Sequence, residues 1–262
     1  MNAAKTEVTS YINEQVKKAA SWNLLDNSDF TNPVNQRGLT TYPIGGSANR
    51  YTIDRWATIN ANTTLDVTDD GITMTNLTSD GAGYLRQVLE HSERYTNKTL
   101  TLVVETNGKR LFNSGTLPTA FNIKDGDLTV GGVMVSGGKV WVRVWSNIAE
   151  DSRTFTNVAL YEGAYTANTL PQYVPKGYAH ELMECMRYYQ SVYMETSGTD
   201  VYARSSVINL PVPMRVTPTV TNTKEGDDDF KEIIMVDNKT VKVVGTSSYN
   251  RHAGHIYLTA DL

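Results

Sequence analysis

"TLDVTDDGITMTNL", residues 64–77, decides the fold class. Leu65 and Val67 alternate with polar residues in one arm, and Ile72 and Met74 do the same in the other. A side-chain period of two belongs to an extended strand with one face on a core. Asp69, Asp70 and Gly71 stand between the arms. They tolerate the backbone angles of a tight reversal, so the stretch predicts a β-hairpin. The pattern spreads outward: "GYLRQVLE" at 83–90, "TLTLVVET" at 99–106, "KVWVRVW" at 139–145 and "TFTNVALYE" at 154–162 alternate likewise. Gly, Asn and Asp clusters separate them, and only residues 92–96 suggest anything other than strand. Six or more short strands at this spacing imply two antiparallel sheets packed face to face, a sandwich or jelly roll.

Composition agrees with a mainly β protein. The chain has 262 residues, of which only 20% are charged, and Thr, Asn, Ser and Gly are frequent. The net charge of -4 provides no global attraction to phosphate backbones, so nucleic acid is not an expected partner. No apolar run approaches the roughly 20 residues that span a bilayer, and "MNAAKTEVTS" lacks the apolar core of a signal peptide. A single cysteine, Cys185, leaves no internal disulfide framework and fits assembly in a reducing cytoplasm.

On either side of the strand-rich part, residues 23–176, the period changes. In residues 1–22, Val8, Ile12, Ala19 and Trp22 fall on one helical stripe that Gln15 interrupts. Such a short helix needs a partner for its apolar face. The partner is either its own domain or, in a short parallel bundle, copies of itself. Residues 177–262 open with "KGYAHELMECMRYYQSVY", from Lys176 on. Ala179, Leu182, Met183, Met186, Tyr189 and Tyr193 predict a helix of three turns or more, after a tether containing Pro171 and Pro175. Strand signals then return in "VYARSSVINL", "RVTPTVTNT", a hairpin "KEIIMVDNKTVKVV" turning at Asp237 and Asn238, and "GHIYLTADL". About five strands there predict a smaller second sandwich.

"NLLDNSDFTNPVNQRG", residues 23–38, is dense in turn formers that stop the first helix and start the sandwich. Followed by "YTIDRW" at 51–56, it resembles the start of jelly-roll domains in bacteriophage tail-fibre and receptor-binding proteins, which are similar to carbohydrate-binding modules. "VALYEGAYTANTLPQYVPKGYAHELMECMRYYQ" at 158–190 resembles the exit of such a domain, and "LPVPMRVTPTV" at 210–220 resembles the strand opening their small C-terminal domain. The order of these pieces, over residues 23–262, carries the likeness. It implies a homotrimeric virion component of the tail that joins other tail or baseplate proteins and attaches to a host surface glycan. Asp54, Arg55 and Trp56 read as a core and salt-bridge element of that fold.

Local chemistry is sparse. Nucleophile elbows, phosphate loops and dinucleotide fingerprints are absent, and no cofactor is expected. "HELME" at 180–184 has Glu184 where a zinc-protease helix needs its second histidine. His252 and His255 are three apart, so in a strand they point to opposite faces and read as surface or interface residues. "EGDDDF" at 225–230 reads as a solvated loop, since one acidic run does not supply a calcium ion's ligands. No metal site is expected, and Cys185 reads as a small buried hydrophobe.

The sharpest signal is "KVWVRVW". Val140, Val142 and Val144 form a core face, which leaves Trp141, Arg143 and Trp145 on the other. Two indoles flanking a guanidinium would make a flat platform on which sugars stack. The same trio also suits a subunit or domain interface, or ordinary packing with the arginine reaching to the rim. Tyr188, Tyr189, Tyr193 and Tyr202 read as packing between helix and sandwich. The expected function is non-catalytic attachment of a virion tail fibre to host glycan. The alternatives are a ligand-free structural fibre or baseplate segment, and an accessory module of a cell-wall polysaccharide hydrolase.

Overall fold

A computed structural model describes residues 22–44, 50–59, 63–75, 84–145, 152–196, 205–222, 232–244 and 252–260. The chain divides into two compact units, Met1–Lys176 and Gly177–Leu262. Antiparallel strands dominate both.

In the first unit the strands are β1 (Thr41–Ile44), β2 (Arg50–Tyr51), β3 (Ala57–Ile59), β4 (Thr63–Thr68), β5 (Gly71–Thr75) and β6 (Tyr84–Val88). They continue with β7 (Thr99–Thr106), β8 (Lys109–Thr116), β9 (Phe121–Asp125), β10 (Leu128–Ser136), β11 (Lys139–Val144) and β12 (Ser152–Glu162). One sheet has the order β1-β4-β5-β12-β7-β8, and the other β2-β3-β6-β11-β10-β9. The hairpin read at residues 64–77 is β4–β5, with Leu65 paired to Met74 and Val67 to Ile72. The strands β8, β9 and β10 fall in a stretch that the alternation did not single out. "KRLFNSGT" is a half-exposed edge strand with no clean alternation, and β10 has a register shift between Thr129 and Gly131 that breaks its period of two.

The two sheets share one core, a β-sandwich. The first sheet contributes Leu65, Ile72, Met74, Leu102, Val104, Phe155 and Leu160. The second contributes Leu85, Ile123, Val133, Val140, Val142 and Val144, and Ile53 and Trp56 fill one end. Residues 23–30 take no regular strand, but they run beside β12. Leu24 N–H donates to Leu160 O at 2.9 Å, Val158 N–H to Ser28 O at 3.1 Å and Phe30 N–H to Thr156 O at 2.9 Å. The segment thereby satisfies the backbone of β12 where β5 leaves it.

The two sheets differ on their outer faces. On the first, the stretch after β12 folds back as a strap: Leu170 is buried with Val103, Ala159 and Tyr161, and Tyr165, Tyr173 and Phe112 pack around them. The proline-bearing tether is therefore partly a cover for a sheet. The outer face of the second sheet carries the residues that matter below.

In the second unit, α1 (Tyr178–Cys185) is followed by β13 (Tyr189–Thr196), β14 (Ser205–Asn209), β15 (Thr219–Asn222), β16 (Glu232–Met235), β17 (Thr240–Val244) and β18 (His252–Thr259). Two three-stranded sheets, β13-β18-β15 and β14-β17-β16, enclose Met194, Leu210, Met214, Val241, Val243, Ile256 and Leu258. The expected helix of three turns or more is corrected to eight residues. Tyr189 and Tyr193 lie on β13, which pairs with β18 along its whole length. The run Tyr-Tyr-Gln-Ser-Val-Tyr has the aromatic and β-branched content that a strand favours, and Gln190, Met194 and their partners on β18 bury the alternate face. No described helix is long and apolar enough to cross a membrane.

Candidate functional site: a cation–aromatic ladder

A buried frame of polar contacts holds the loops of the first unit against its second sheet. Asn27 adopts φ 50° and uses its amide as a splice: Nδ2 donates to Val34 O at 2.8 Å and to Asp54 O at 2.7 Å, and Oδ1 accepts from Val34 N–H at 2.7 Å. Trp56 is fully buried, packs edge-on against Phe30 at 5.1 Å and donates its indole N–H to Asn27 O at 2.8 Å. Arg55, at φ 69°, donates through Nε to Asp26 at 3.0 Å and through Nη2 to Val88 O at 3.1 Å. Burial alone would raise the Asp26 carboxyl, but Arg55 and Lys176 together outweigh it and hold it below the usual carboxylate range. Burial pushes Asp54 up to about 6, against the pull of Arg37 at 3.3 Å and of the Gln36 N–H at 2.7 Å. These residues are structural, as their sequence context suggests.

On the outer face of the second sheet, β6 and β11 pair so that Arg86 lies directly opposite Arg143 and Val88 opposite Trp141. Val140, Val142 and Val144 are buried in the core, so Trp141 and Arg143 point the other way, with Tyr84 and Arg86 beside them. The side chains interleave. The Arg86 guanidinium lies 4.2 Å from the Trp141 ring centre, and that of Arg143 lies 4.8 Å from Tyr84 and 5.1 Å from Trp145. Tyr84 meets Trp145 edge-on at 6.3 Å. The result is a ladder, Trp141–Arg86–Tyr84–Arg143–Trp145, held by cation–π contacts worth about 0.5–2 kcal/mol each according to exposure.

Trp141, Arg143, Tyr84 and Arg86 are half-buried, whereas Trp145 is only 6% exposed. The two indoles therefore do not share one flat surface: Trp145 is packed away, and Trp141 is partly open. Gly132 on β10 makes the room: a Cβ there would stand 3.1 Å from the Trp145 ring and 2.3 Å from Asn122 Oδ1. Trp145 therefore settles over the backbone of β10 and becomes a wall, while Trp141 and the two arginines form the accessible part. Trp141 is fixed by its N–H to Ser136 O at 3.2 Å.

The structure adds Tyr84 and Arg86, which the sequence reading passed over. Their signal was present as Tyr-x-Arg in "GYLRQVLE", the same outward alternation as Trp-x-Arg-x-Trp. Of the residues on the N-terminal helical stripe, Val8, Ile12 and Ala19 lie outside the described residues, and Trp22 is 81% exposed. His255 stacks on Tyr257 and meets Tyr193 edge-on at 5.3 Å, while the side chain of His252 and residue Tyr202 lie outside the described residues, as does the acidic run 225–230. Cys185 is buried, Tyr188 is buried with Arg187 and Arg215 near its ring, and Tyr193 is 43% exposed.

Comparison of the chain with known protein families, with curated proteins and with solved structures yields no match.

Proposed function

We propose that this chain is a non-catalytic adhesin of a phage tail, homotrimeric in the virion, whose first unit is a jelly-roll module that holds a host surface glycan on the outer face of its second sheet. One observation carries the binding part: the outward ladder Tyr84, Arg86, Trp141, Arg143 and Trp145. Sugars present C–H faces that stack on aromatic rings, and hydroxyls that accept from guanidinium N–H groups. A half-exposed surface with both, pre-set on paired strands, needs little ordering on binding. The virion assignment rests on the order of the entry, exit and C-terminal segments in the sequence. Trimerisation would place three weak sites within reach of one cell surface, so that modest affinities act together.

The test combines binding and size. Purified chain is applied to host-type cells and to an array of wall polysaccharides, with Trp141→Ala as the variant. Light scattering should report three times the 29.0 kDa of the chain, and Trp141→Ala should weaken retention on the glycan at least tenfold. A monomer that binds no cell and no glycan overturns the adhesin reading and leaves a structural segment in its place.

A further inference from the structure

We infer that the glycan held by this ladder is an acidic one, recognised through a carboxylate or phosphate group seated at Arg143 and Arg86. This rests on the glycan-binding reading above and adds its charge.

The charge of the face is the first argument. Lys139, Trp141 and Arg143 alternate outward on β11, Tyr84 and Arg86 on β6, and Asn122 and Lys124 on β9. Four cations thus occupy outward strand positions, and among the described residues no Asp or Glu occupies one on this sheet. Glu90 follows β6 beyond its end, on the Lys139 side and away from Tyr84 and Arg143. The whole chain is acidic, at -4, so this face runs against the average of the molecule.

Placement of the two arginines is the second. Arg86 and Arg143 are direct cross-strand partners. Like charges in that position destabilise a sheet pair. Aromatic faces on both sides soften the repulsion without neutralising it. The Tyr84 ring lies between the two heads, and an anion bound to either guanidinium would offset the repulsion.

The third is the chemistry of the Arg143 head. Its Nε is buried without a hydrogen bond, so an anion would meet the Nη groups of this guanidinium and not Nε. Arg86 already bonds the Tyr84 hydroxyl, which fixes its head. A planar carboxylate or a phosphate matches the fork of a guanidinium, whereas a neutral hydroxyl satisfies only one of its donors at a time.

Small partners flank the pair in the same register. Ala57 lies opposite Arg86 on β3, and Gly132 opposite Arg143 on β10. Ala57 is small, and the space over Gly132 is taken by Trp145 and Asn122, so Trp141 is the accessible ring on which a pyranose can rest.

Three immobilised polymers test the inference: polygalacturonate, its fully methyl-esterified form, and polyglycerol phosphate. The first two share a backbone and differ in charge, while the third carries phosphodiesters without a sugar ring. Tight, salt-sensitive retention on polygalacturonate, at least tenfold weaker on the ester, supports a carboxylate ligand. Retention on polyglycerol phosphate instead supports a phosphate ligand. Arg143→Gln should cost at least tenfold on the retained polymer, Arg143→Lys less, and Lys98→Gln nothing, because Lys98 pairs with Glu162 at the other sheet. Circular dichroism of each variant separates lost binding from lost fold. Equal retention on the charged and esterified polymers, lost with Trp141→Ala but kept with Arg143→Gln, overturns the acidic-ligand inference and leaves the glycan reading intact. No retention on any of the three polymers, together with binding to neutral wall glycans, overturns it as well. No retention on any glycan overturns both.

Discussion

Trp56 is the largest fully buried side chain among the described residues. It is fully buried, and its N–H meets the carbonyl of Asn27 at 2.8 Å. Trp56→Ala should cost about 3–5 kcal/mol from the cavity alone. Trp56→Phe should cost less, about 1–3 kcal/mol for the orphaned Asn27 carbonyl plus a smaller cavity. Urea unfolding of both variants checks the order. Asp54 adds a pH signature. Its carboxyl is raised in the fold to about 6 from 3.8, so between those values the folded state holds more proton than the unfolded one. Stability from this group is therefore full below pH 4 and declines as pH rises through 6. The decline is at most about 3 kcal/mol, from the size of the shift. Asp26 has the opposite sign: held low by Arg55 and Lys176, it contributes stability above its ordinary value and loses it as pH falls through its folded one. Asp54→Asn should flatten the loss of melting temperature between pH 4 and pH 6 and leave the acid limb below pH 4. An unchanged slope in that variant would show that another group controls it.

At the scale of the element, β10 and β11 set the site. Gly132 has no side chain because the Trp145 ring and Asn122 occupy that space. Gly132→Ala should displace Asn122, whose Oδ1 would stand 2.3 Å from the new Cβ, and press on the Trp145 ring at 3.1 Å, with a small change in tryptophan emission and a loss of about 1–3 kcal/mol. The neighbouring Gly131 faces the opposite way, with a would-be Cβ 3.0 Å from Val104, so Gly131→Ala should destabilise without that spectral change. The same elements show where sequence reading succeeded. In β11 the alternation was clean, and Val140, Val142 and Val144 are all buried as it required. In β13 it failed, because Tyr189 and Tyr193 satisfy a helical spacing and a strand period equally well. The eight-residue pairing with β18, remote in sequence, chose the strand.

For the whole molecule, the two units have separate cores of unequal extent. Among the described residues, the larger sandwich buries aromatic and aliphatic side chains from Leu25 to Leu160, whereas the smaller relies on a short set around Met194, Val243 and Ile256. A small domain buries a smaller fraction of its surface and is correspondingly less stable. Scanning calorimetry should therefore resolve two transitions, the lower one from residues 177–262. A fragment of residues 22–176 should keep the upper one within a few degrees. Fusion into one transition, or a fragment that fails to fold, would contradict independent cores.

The sequence by itself determined the fold class, the hairpin at 64–77, the opposing faces of "KVWVRVW" and the structural role of Asp54, Arg55 and Trp56. The first three follow from neighbours along the chain, where a period of two or a run of turn formers is enough, and the last from the resemblance of residues 23–56 to the start of jelly-roll domains. Only the tertiary structure decided that Arg86 stands opposite Arg143, that Gly132 draws Trp145 down while Trp141 stays open, and that the strap covers one sheet and not the other. Those facts join residues on different strands, and register across a sheet is set by which faces bury together, which no local pattern encodes.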